Sequence, residues 1–422
     1  MTSRSDDARR GPLVGYRVLE LCSTIAGPVC ARLLADFGAE VIKVEPPEGD
    51  PVRSMGYLDG DVSLYTPTIL RNKRVATVDL KTAEGCDLVR RLAAKCDVVV
   101  ENFRPGTLER LGLGYDVLAE DNPSVVLVRI SGYGQTGPYS PKPGYGAICE
   151  AFAGVRHLTG DPDRPPARVA LALTDYFTAV YAAFGAVMAL LERERTGKGQ
   201  VVDAALYEAA FTMMEAVVPG YDRLKIVPTR QGSRLPSMAP NNLYPAKDGA
   251  YLLIAANNDQ IYRRLVEAIG KPHLAADPRF ATIRSRSANA DAIDAEIAEW
   301  TARMDGKEAE RILEQAAVPV SRVYTIADIF EDPHFRARDM LLQVAHDKLG
   351  QLTIPGIVPK LSRTPGAVYR AGPDQGEDTH AVLRDLLGIP QADLDTLEHA
   401  GVIRGKPARR PRPDGRAAAG AT

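Results

Sequence analysis

Between residues 15 and 131 short apolar runs alternate with helical patterns, and that alternation leaves few folds open to the chain. YRVLELC, AEVIKVE, RVATVDL, DVVVENF and SVVLVRISGYG read as strands. PVCARLLADFG, opened by Pro28 after Gly27, then TAEGCDLVRRLAAKC and YDVLAEDN read as the helices between them. Strands joined through helices lie parallel, and right-handed crossovers wind them into one doubly wound sheet covered on both faces. Ligands of such sheets bind at the carboxyl ends of the strands. A nicotinamide fingerprint is missing, because the turn STIAGPVC after the first strand has one glycine where GxGxxG needs three.

Beyond this region, YDRLKIVPTRQGSRLPSMAP at 221–240 breaks the helical pattern and reads as a linker or an active-site loop. NNLYPAKDGAYLLIAANND predicts a hairpin turning at Lys247, Asp248 and Gly249. IYRRLVEAIG, NADAIDAEIAEWTARM and KEAERILEQAA predict three amphipathic helices, and the segment from VPVSRVY onward reads as a return path with short strands. The 422 residues suffice for two or three domains, with boundaries expected at 12–220, 221–330 and 331–403. Residues 2–11 and the Pro, Arg and Ala tail at 404–422 have nothing to bury and read as disordered.

A net charge of −2 gives no global field for nucleic acid or an anionic membrane, so any basic site is local. Five cysteines without a CxxC pair argue against a disulfide framework and a zinc site, and they favour a reducing compartment. MTSRSDDARRGPL lacks an apolar signal core, and the apolar run after Asp175 reads as too short for a membrane span, so a soluble cytoplasmic protein is expected. All six histidines lie at or beyond His157, itself read as structural, and none forms a Ser–His, Cys–His or metal-ligand pair. Chemistry then falls most easily on a carboxylate.

Asp175 is such a carboxylate. It opens DYFTAVYAAFGAVMALL, where Phe177, Val180, Tyr181, Phe184, Val187, Met188 and Leu191 recur at helical steps, so it reads as the N-cap of a helix buried on nearly all sides. Basic residues gather at predicted strand ends: Arg71, Lys73 and Arg74; Lys81; Arg104 and Arg110; Lys142. In loops of a doubly wound sheet these suit a ligand with several phosphates, or they are ordinary surface charges.

Taken together, GYRVLELCSTIAGPVCARLLADFGAEVIKVEPPEGDPVR, NKRVATVDLKTAEG, DVVVENFRPGTLERLGLGYD, NPSVVLVRISGYGQTGPYS, GYGAICEAFAGVRHLTG, the Asp175 helix with LLERERTGKGQVVDAALYEAA, and RQGSRLPSMAPNNLYPAKDG resemble the class III CoA-transferase family (CaiB/BaiF type). That family includes formyl-CoA transferases and the related alpha-methylacyl-CoA racemases. The resemblance implies a Rossmann-like large domain built from both ends of the chain, a smaller α+β middle domain and an interlocked homodimer. It implies a CoA-transferase (EC 2.8.3 type) with Asp175 as nucleophile, and contacts to coenzyme A from Ala26, Val78, Lys81, Asn102, Arg104 and Arg110, with Lys142 as an addition. Its substrates would be an acyl-CoA and a carboxylic acid, with no permanently bound cofactor, no metal, and neither nucleic acid nor membrane as partner.

Departures from the family pattern narrow the substrate. Ile25 replaces the glutamine that formyl-CoA transferases carry before AGP, Pro46 follows VIKVE where arginine is frequent, and Gly146 stands where many members have aspartate. RQGSRLPSMAPNN replaces the polyglycine loop that covers small acids. A larger acid is therefore expected, such as a dicarboxylate with succinyl-CoA as donor; Arg230, Arg234, Asn241 and Asn242 either meet its distal carboxylate or belong to a structural loop. Two alternatives stand beside transfer: an acyl-CoA racemase or epimerase, disfavoured because Tyr145 occupies the histidine position of GHD, and a non-enzymatic CoA-binding or nucleotide-binding module.

Overall fold

Six Val- and Ile-rich segments pair in parallel in the computed structural model, which describes residues 9–406. Numbered with all strands along the chain, they are β1 (Arg17–Leu21), β2 (Glu40–Glu45), β5 (Lys73–Val78), β6 (Val98–Glu101), β7 (Val126–Ser131) and β8 (Val201–Ala205). Short hairpins supply β3 (Leu58–Asp59) with β4 (Val62–Ser63), and β12 (Leu341–His346) with β13 (Gly350–Pro355). Across the large sheet the order is β14-β5-β2-β1-β6-β7-β8, where β14 (Ile403–Arg404) runs antiparallel to β5. The parallel strands thus read third, second, first, fourth, fifth, sixth in chain order. Chain direction across the sheet reverses between β1 and β6, which makes their carboxyl ends the topological switch point.

Register explains why these strands are apolar throughout. Val18 faces Val41 on one side and Val98 on the other, while Leu19 faces Ile42 and Val99. Val18, Val98 and Val126 point into a core closed by the helices Ala26–Asp36 and Leu173–Thr196. Leu19, Val99 and Leu127 point into a second core closed by Ala83–Ala93 and Thr379–Leu387. Both faces are dry, as a parallel sheet requires.

Late segments of the chain complete the edge at β5. Asp378 Oδ2 accepts from Val75 N at 2.9 Å, Thr379 Oγ1 accepts from Thr77 N at 3.0 Å, and Ile403 pairs with Val78. Arg404, expected in the tail, is therefore in a strand, and residues 407–422 of that expectation lie outside the described residues.

Contacts divide the described chain into two units. The first holds the residues up to Ala153, then Leu171–Met213, and those from Asp339 onward. The second holds Gly154–Ala170 with Met214–Arg338, which differs from the expected boundaries at 220 and 330. Gly154–Ala170 joins that unit because Gly232 N donates to Gly160 O at 3.1 Å and Arg230 Nε to Asp161 O at 3.0 Å. Its sheet is β11 (Val320–Arg322), β10 (Tyr251–Ala255) and β9 (Asn241–Pro245), with the predicted turn at Gly249 and the three predicted helices at Asp259–Ala268, Ala290–Thr301 and Gly306–Gln315.

The Leu173–Thr196 helix departs from expectation in three ways. It starts earlier than predicted: Ala172 is the N-cap, and Asp175 is the third residue of the first turn. Its buried face is alanine. Ala182 and Ala186 are 0% exposed, whereas Phe184 is 62% and Met188 52% exposed. A Cβ on Gly185 would lie 2.6 Å from Val202 Cγ1, so small residues let this helix lie directly on β8. With 24 residues it is also long and apolar enough, by length and composition, to cross a membrane, contrary to the expectation from the shorter apolar run.

Candidate active site

The loop after β1 is held from two sides at the switch point. Asn102, just past β6, accepts from Ser23 N at 3.0 Å and donates from Nδ2 to Ser23 O at 2.9 Å. Thr24 has a left-handed φ of 70°, unusual for a branched residue, and its N–H donates to Asp50 Oδ1 at 3.0 Å. A Cβ on Gly27 would lie 2.5 Å from Cys22 Cβ and 3.4 Å from Asn102 Cγ, so only glycine permits this approach.

Behind the loop lies a fully buried chain of alternating charges. Lys43 Nζ reaches Asp50 at 2.7 Å and Glu20 at 3.0 Å and donates to Cys22 O at 2.7 Å. Lys73 Nζ reaches Glu20 at 2.6 Å and donates to Pro28 O at 2.7 Å. Burial by itself would lower the Lys43 ammonium pKa, but the Glu20 and Asp50 carboxylates overcome it and hold it above its ordinary value. The strand ends are thereby tied to both flanks of the loop.

Arg71, Lys73 and Arg74 stand open in the sequence between phosphate binding and ordinary surface charge, and the structure instead engages each of them in ion pairs within the fold. Arg71 is buried against Asp36, with N to O distances of 2.8 and 2.6 Å, and Arg74 reaches Glu40 and Asp385 at 3.1 Å each. Their partners are distant in sequence, which hid the pairing.

The residues expected to hold coenzyme A lie in or beside loops at the carboxyl ends of the parallel strands. Ala26 and Val78 are buried at the start of a helix and the end of β5. Lys81, its side chain 75% exposed, meets Glu48 at 2.8 Å. Arg104 is exposed, Arg110 Nη2 donates to Thr107 Oγ1 at 2.8 Å, and Lys142 Nζ sits 3.4 Å above the Tyr139 ring. Ala26 and Asn102 flank the same loop, whereas Lys142 lies beyond β7.

Asp175 stands half-buried in the first unit, and backbone reaches it directly. Gly146 opens the helix Gly146–Phe152, and a Cβ built there would lie 2.9 Å from Asp175 Cγ and closer still to Oδ2. Cys149, one turn on, is buried and its thiol donates to Gly132 O at 3.3 Å. Burial first, and the Asp175 charge second, push the Cys149 thiol up to about 11. At pH 8 about one thiol in a thousand would be ionised. Iodoacetamide at pH 8 is therefore expected to leave Cys149 unmodified in the folded protein and to label it in urea, read by peptide mass spectrometry; rapid labelling of the folded chain would refute this environment.

Rings of Tyr133, Phe152 and Tyr207 pack beside this point, with centroids 5.3 Å apart for Tyr133–Phe152 and 5.4 Å for Phe152–Tyr207. Sequence reading missed this cluster, Cys149 and the Glu20–Lys43–Asp50 chain, because no local pattern marks them. Among the described residues no group of three or more His, Cys, Asp or Glu could hold a metal.

In the second unit the expected acid-binding set is occupied internally. Arg234 pairs with Asp291 and Asp294 at 2.7 Å each, Asn242 Nδ2 donates to Asp294 at 2.8 Å, and Asn241 Nδ2 donates to Asn257 at 3.0 Å. Arg230 serves main-chain oxygens of Asp161 and His157. These side chains hold the fold of that unit, and Arg234 in particular already faces two carboxylates. His157 is exposed, and its Nε2 lies 3.2 Å from Pro228 O.

The family model for CoA-transferase family III matches residues 13–379. "Succinyl-CoA--D-citramalate CoA-transferase" of Chloroflexus aurantiacus is 45% identical over 394 residues, covering 93% of this chain and 98% of its own. "Succinyl-CoA:mesaconate CoA-transferase" of Haloarcula hispanica is 40% identical over 366 residues, covering 84% and 91%. The crystal structure of a CAIB/BAIF family protein from Brucella suis superimposes with a TM-score of 0.80 at 36% identity, covering 90% of this chain and 100% of that one.

Proposed function

The chain belongs to CoA-transferase family III, and from that premise we propose that it moves coenzyme A from succinyl-CoA to a second dicarboxylic acid of the citramalate, malate or mesaconate kind. The observation that carries this reading is full-length similarity to transferases that take succinyl-CoA as donor. The Asp175 carboxylate, in the first turn of its helix and bounded by glycine backbone, supplies the reacting group.

Chemistry follows from the carboxylate. An Asp175 oxygen attacks the succinyl thioester carbonyl, the C–S bond breaks, and CoA thiolate leaves a mixed anhydride behind. The thiolate then attacks the aspartyl carbonyl, releasing succinate and leaving an aspartyl-CoA thioester. The acceptor carboxylate attacks that thioester and expels CoA, and the returning thiolate takes the acceptor acyl group and frees Asp175. Every intermediate stays activated, whereas a serine ester would lose much of the thioester energy. A backbone donor aimed at the oxyanion would contribute about 3 kcal/mol.

Coenzyme A lies along the switch-point loop and the loops after β5 and β6, with Ala26, Val78, Asn102, Arg104, Arg110 and Lys81 as its contacts and Lys142 beyond β7. Hydroxylamine added during turnover with succinyl-CoA is expected to trap Asp175 as its hydroxamate, seen by mass spectrometry, and a matrix of acyl-CoAs against acids identifies the acceptor. An unmodified Asp175 in an enzyme that turns over would remove it as nucleophile. Solvent deuterium entering the alpha carbon without exchange of CoA would favour racemisation instead.

The functional form is an interlocked homodimer. The uncovered Phe184, Met188 and Leu191 flank of the Asp175 helix supports it, since contiguous apolar surface on a folded chain marks an interface. Sedimentation is expected to give twice the chain mass, and Phe184→Asp with Met188→Asp to shift the species toward monomer; a wild-type monomer at micromolar concentration would contradict this form.

A further inference from the structure

The loop after β2, PPEGD at 46–50, has no cation of its own, and the end of the described chain brings one to it. Arg404, in β14, pairs through its backbone with Thr77 of β5, and Thr379 Oγ1 donates to its carbonyl at 2.7 Å. From that base its exposed side chain reaches the β2 loop, where Nη1 donates to Pro47 O at 3.1 Å. Gln375 Nε2 holds the same loop through Pro46 O at 3.1 Å and Pro47 O at 3.0 Å.

Arg404 differs from the cations around it. Arg53 pairs with Glu45, Arg370 with Glu377 and Asp378, and Lys406 with Asp374 and Glu377. Arg404 makes no ion pair among the described residues and meets a main-chain oxygen instead. Lys81 approaches the same loop from the end of β5, its Nζ 2.8 Å from Glu48. Lys81 chiefly, and Arg404 to a smaller extent, hold the Glu48 carboxyl below its ordinary range, so both cations stand near one exposed carboxylate.

The place of these groups in the sheet decides what they fit. Its parallel strands run third, second, first, fourth, fifth, sixth, and sheets of that order receive an adenosine ribose at the carboxyl end of the second strand. A carboxylate there meets a ribose hydroxyl, and an arginine accommodates a phosphate on the ribose. In this chain the second strand is β2, the carboxylate is Glu48 and the arginine is Arg404.

We propose that Arg404 binds the 3′-phosphate of coenzyme A, with Lys81 completing the site. The inference rests on the reading of these loops as the coenzyme A site. A guanidinium fork matches a terminal phosphate and stays charged at every working pH. The Lys81–Glu48 pair is exposed and costs little to open, so Lys81 turns to the phosphate and Glu48 accepts from the neighbouring ribose hydroxyl. A residue from the last described strand thereby distinguishes coenzyme A from its dephosphorylated form.

Calorimetric titration of the full chain is expected to show coenzyme A bound about a hundredfold more tightly than 3′-dephospho-CoA, about tenfold from each charged contact. Arg404→Gln should lower that preference about tenfold and leave the affinity for 3′-dephospho-CoA within about twofold. Lys406→Gln, two residues on and held by carboxylates, should leave the preference as it is. Equal affinities in the wild type would overturn the proposal without any variant. An Arg404→Gln chain that keeps the full preference would overturn it too, as would one that weakens both ligands equally, since that marks a role in shaping the loop. A chain that binds neither ligand removes the coenzyme A reading and this site with it. Discrimination through Arg404 without transfer from succinyl-CoA would refute the transfer reading and leave the phosphate site standing.

Discussion

Asp175→Ala removes transfer between succinyl-CoA and any acceptor by at least about a thousandfold, and leaves the chain folded and able to bind coenzyme A. The size of the loss follows from the role proposed for the side chain. In the proposed mechanism water cannot replace Asp175, since hydrolysis would discard the thioester instead of passing it on. The first turn of a helix favours the negative charge that attack requires, which is one reason an acidic residue is stable there. Isotope-labelled succinate exchange measures the loss directly. Residual exchange within about tenfold of wild type would mean that another group carries the acyl chain.

Glu20→Gln carries the largest stability effect. Glu20 is the single anion between two buried ammonium groups, Lys43 and Lys73, and it is itself buried completely. The amide keeps the shape and removes the charge. Lys43 retains Asp50, but Lys73 loses its carboxylate and keeps only neutral acceptors, the Pro28 carbonyl and the new amide oxygen. Stranding a buried charge in this way costs about 3–5 kcal/mol, and for a chain of 422 residues the melting temperature should fall by about 3–6 °C. Far-UV circular dichroism reads the transition. Arg90→Gln, which breaks an exposed pair with Asp121, should leave the midpoint unchanged. Equal midpoints for the two variants would show that Glu20 is not the keystone of the charge chain.

How much of this could be read from residues alone differs by element. The strands β1, β2, β5, β6 and β7 were legible because burial on both faces demands unbroken apolar runs, and the helix Ala83–Ala93 between two of them carries one apolar stripe. β8 was not, since VVDAA is short and half of it faces out of the core. The Asp175 helix was legible in kind but not in orientation. Its large residues and its alanines form two apolar stripes, and periodicity alone favours the larger; the sheet accepts the smaller because β8 lies so close. Arg71 and Lys73 misled for another reason: their carboxylate partners, Asp36 and Glu20, come from earlier strand and helix ends, and only the folded sheet brings them together. The Asn102 clasp on Ser23 and the approach of Gly146 to Asp175 were not legible: the resemblance names Asn102 only as a coenzyme A contact and Gly146 only as a departure from the family pattern.

The seam that closes the β5 edge has a bearing on how the chain is made. Val75 and Thr77 find partners for their amides in residues 378 and 379, and Val78 in Ile403, more than three hundred positions downstream. During synthesis, then, β5 stands at an open border until nearly all of the polypeptide has left the ribosome. For that interval it is the place where a neighbouring nascent chain could add itself as a strand, and overexpression at high ribosome density should reveal it as insoluble product sooner than any weakness of the finished molecule.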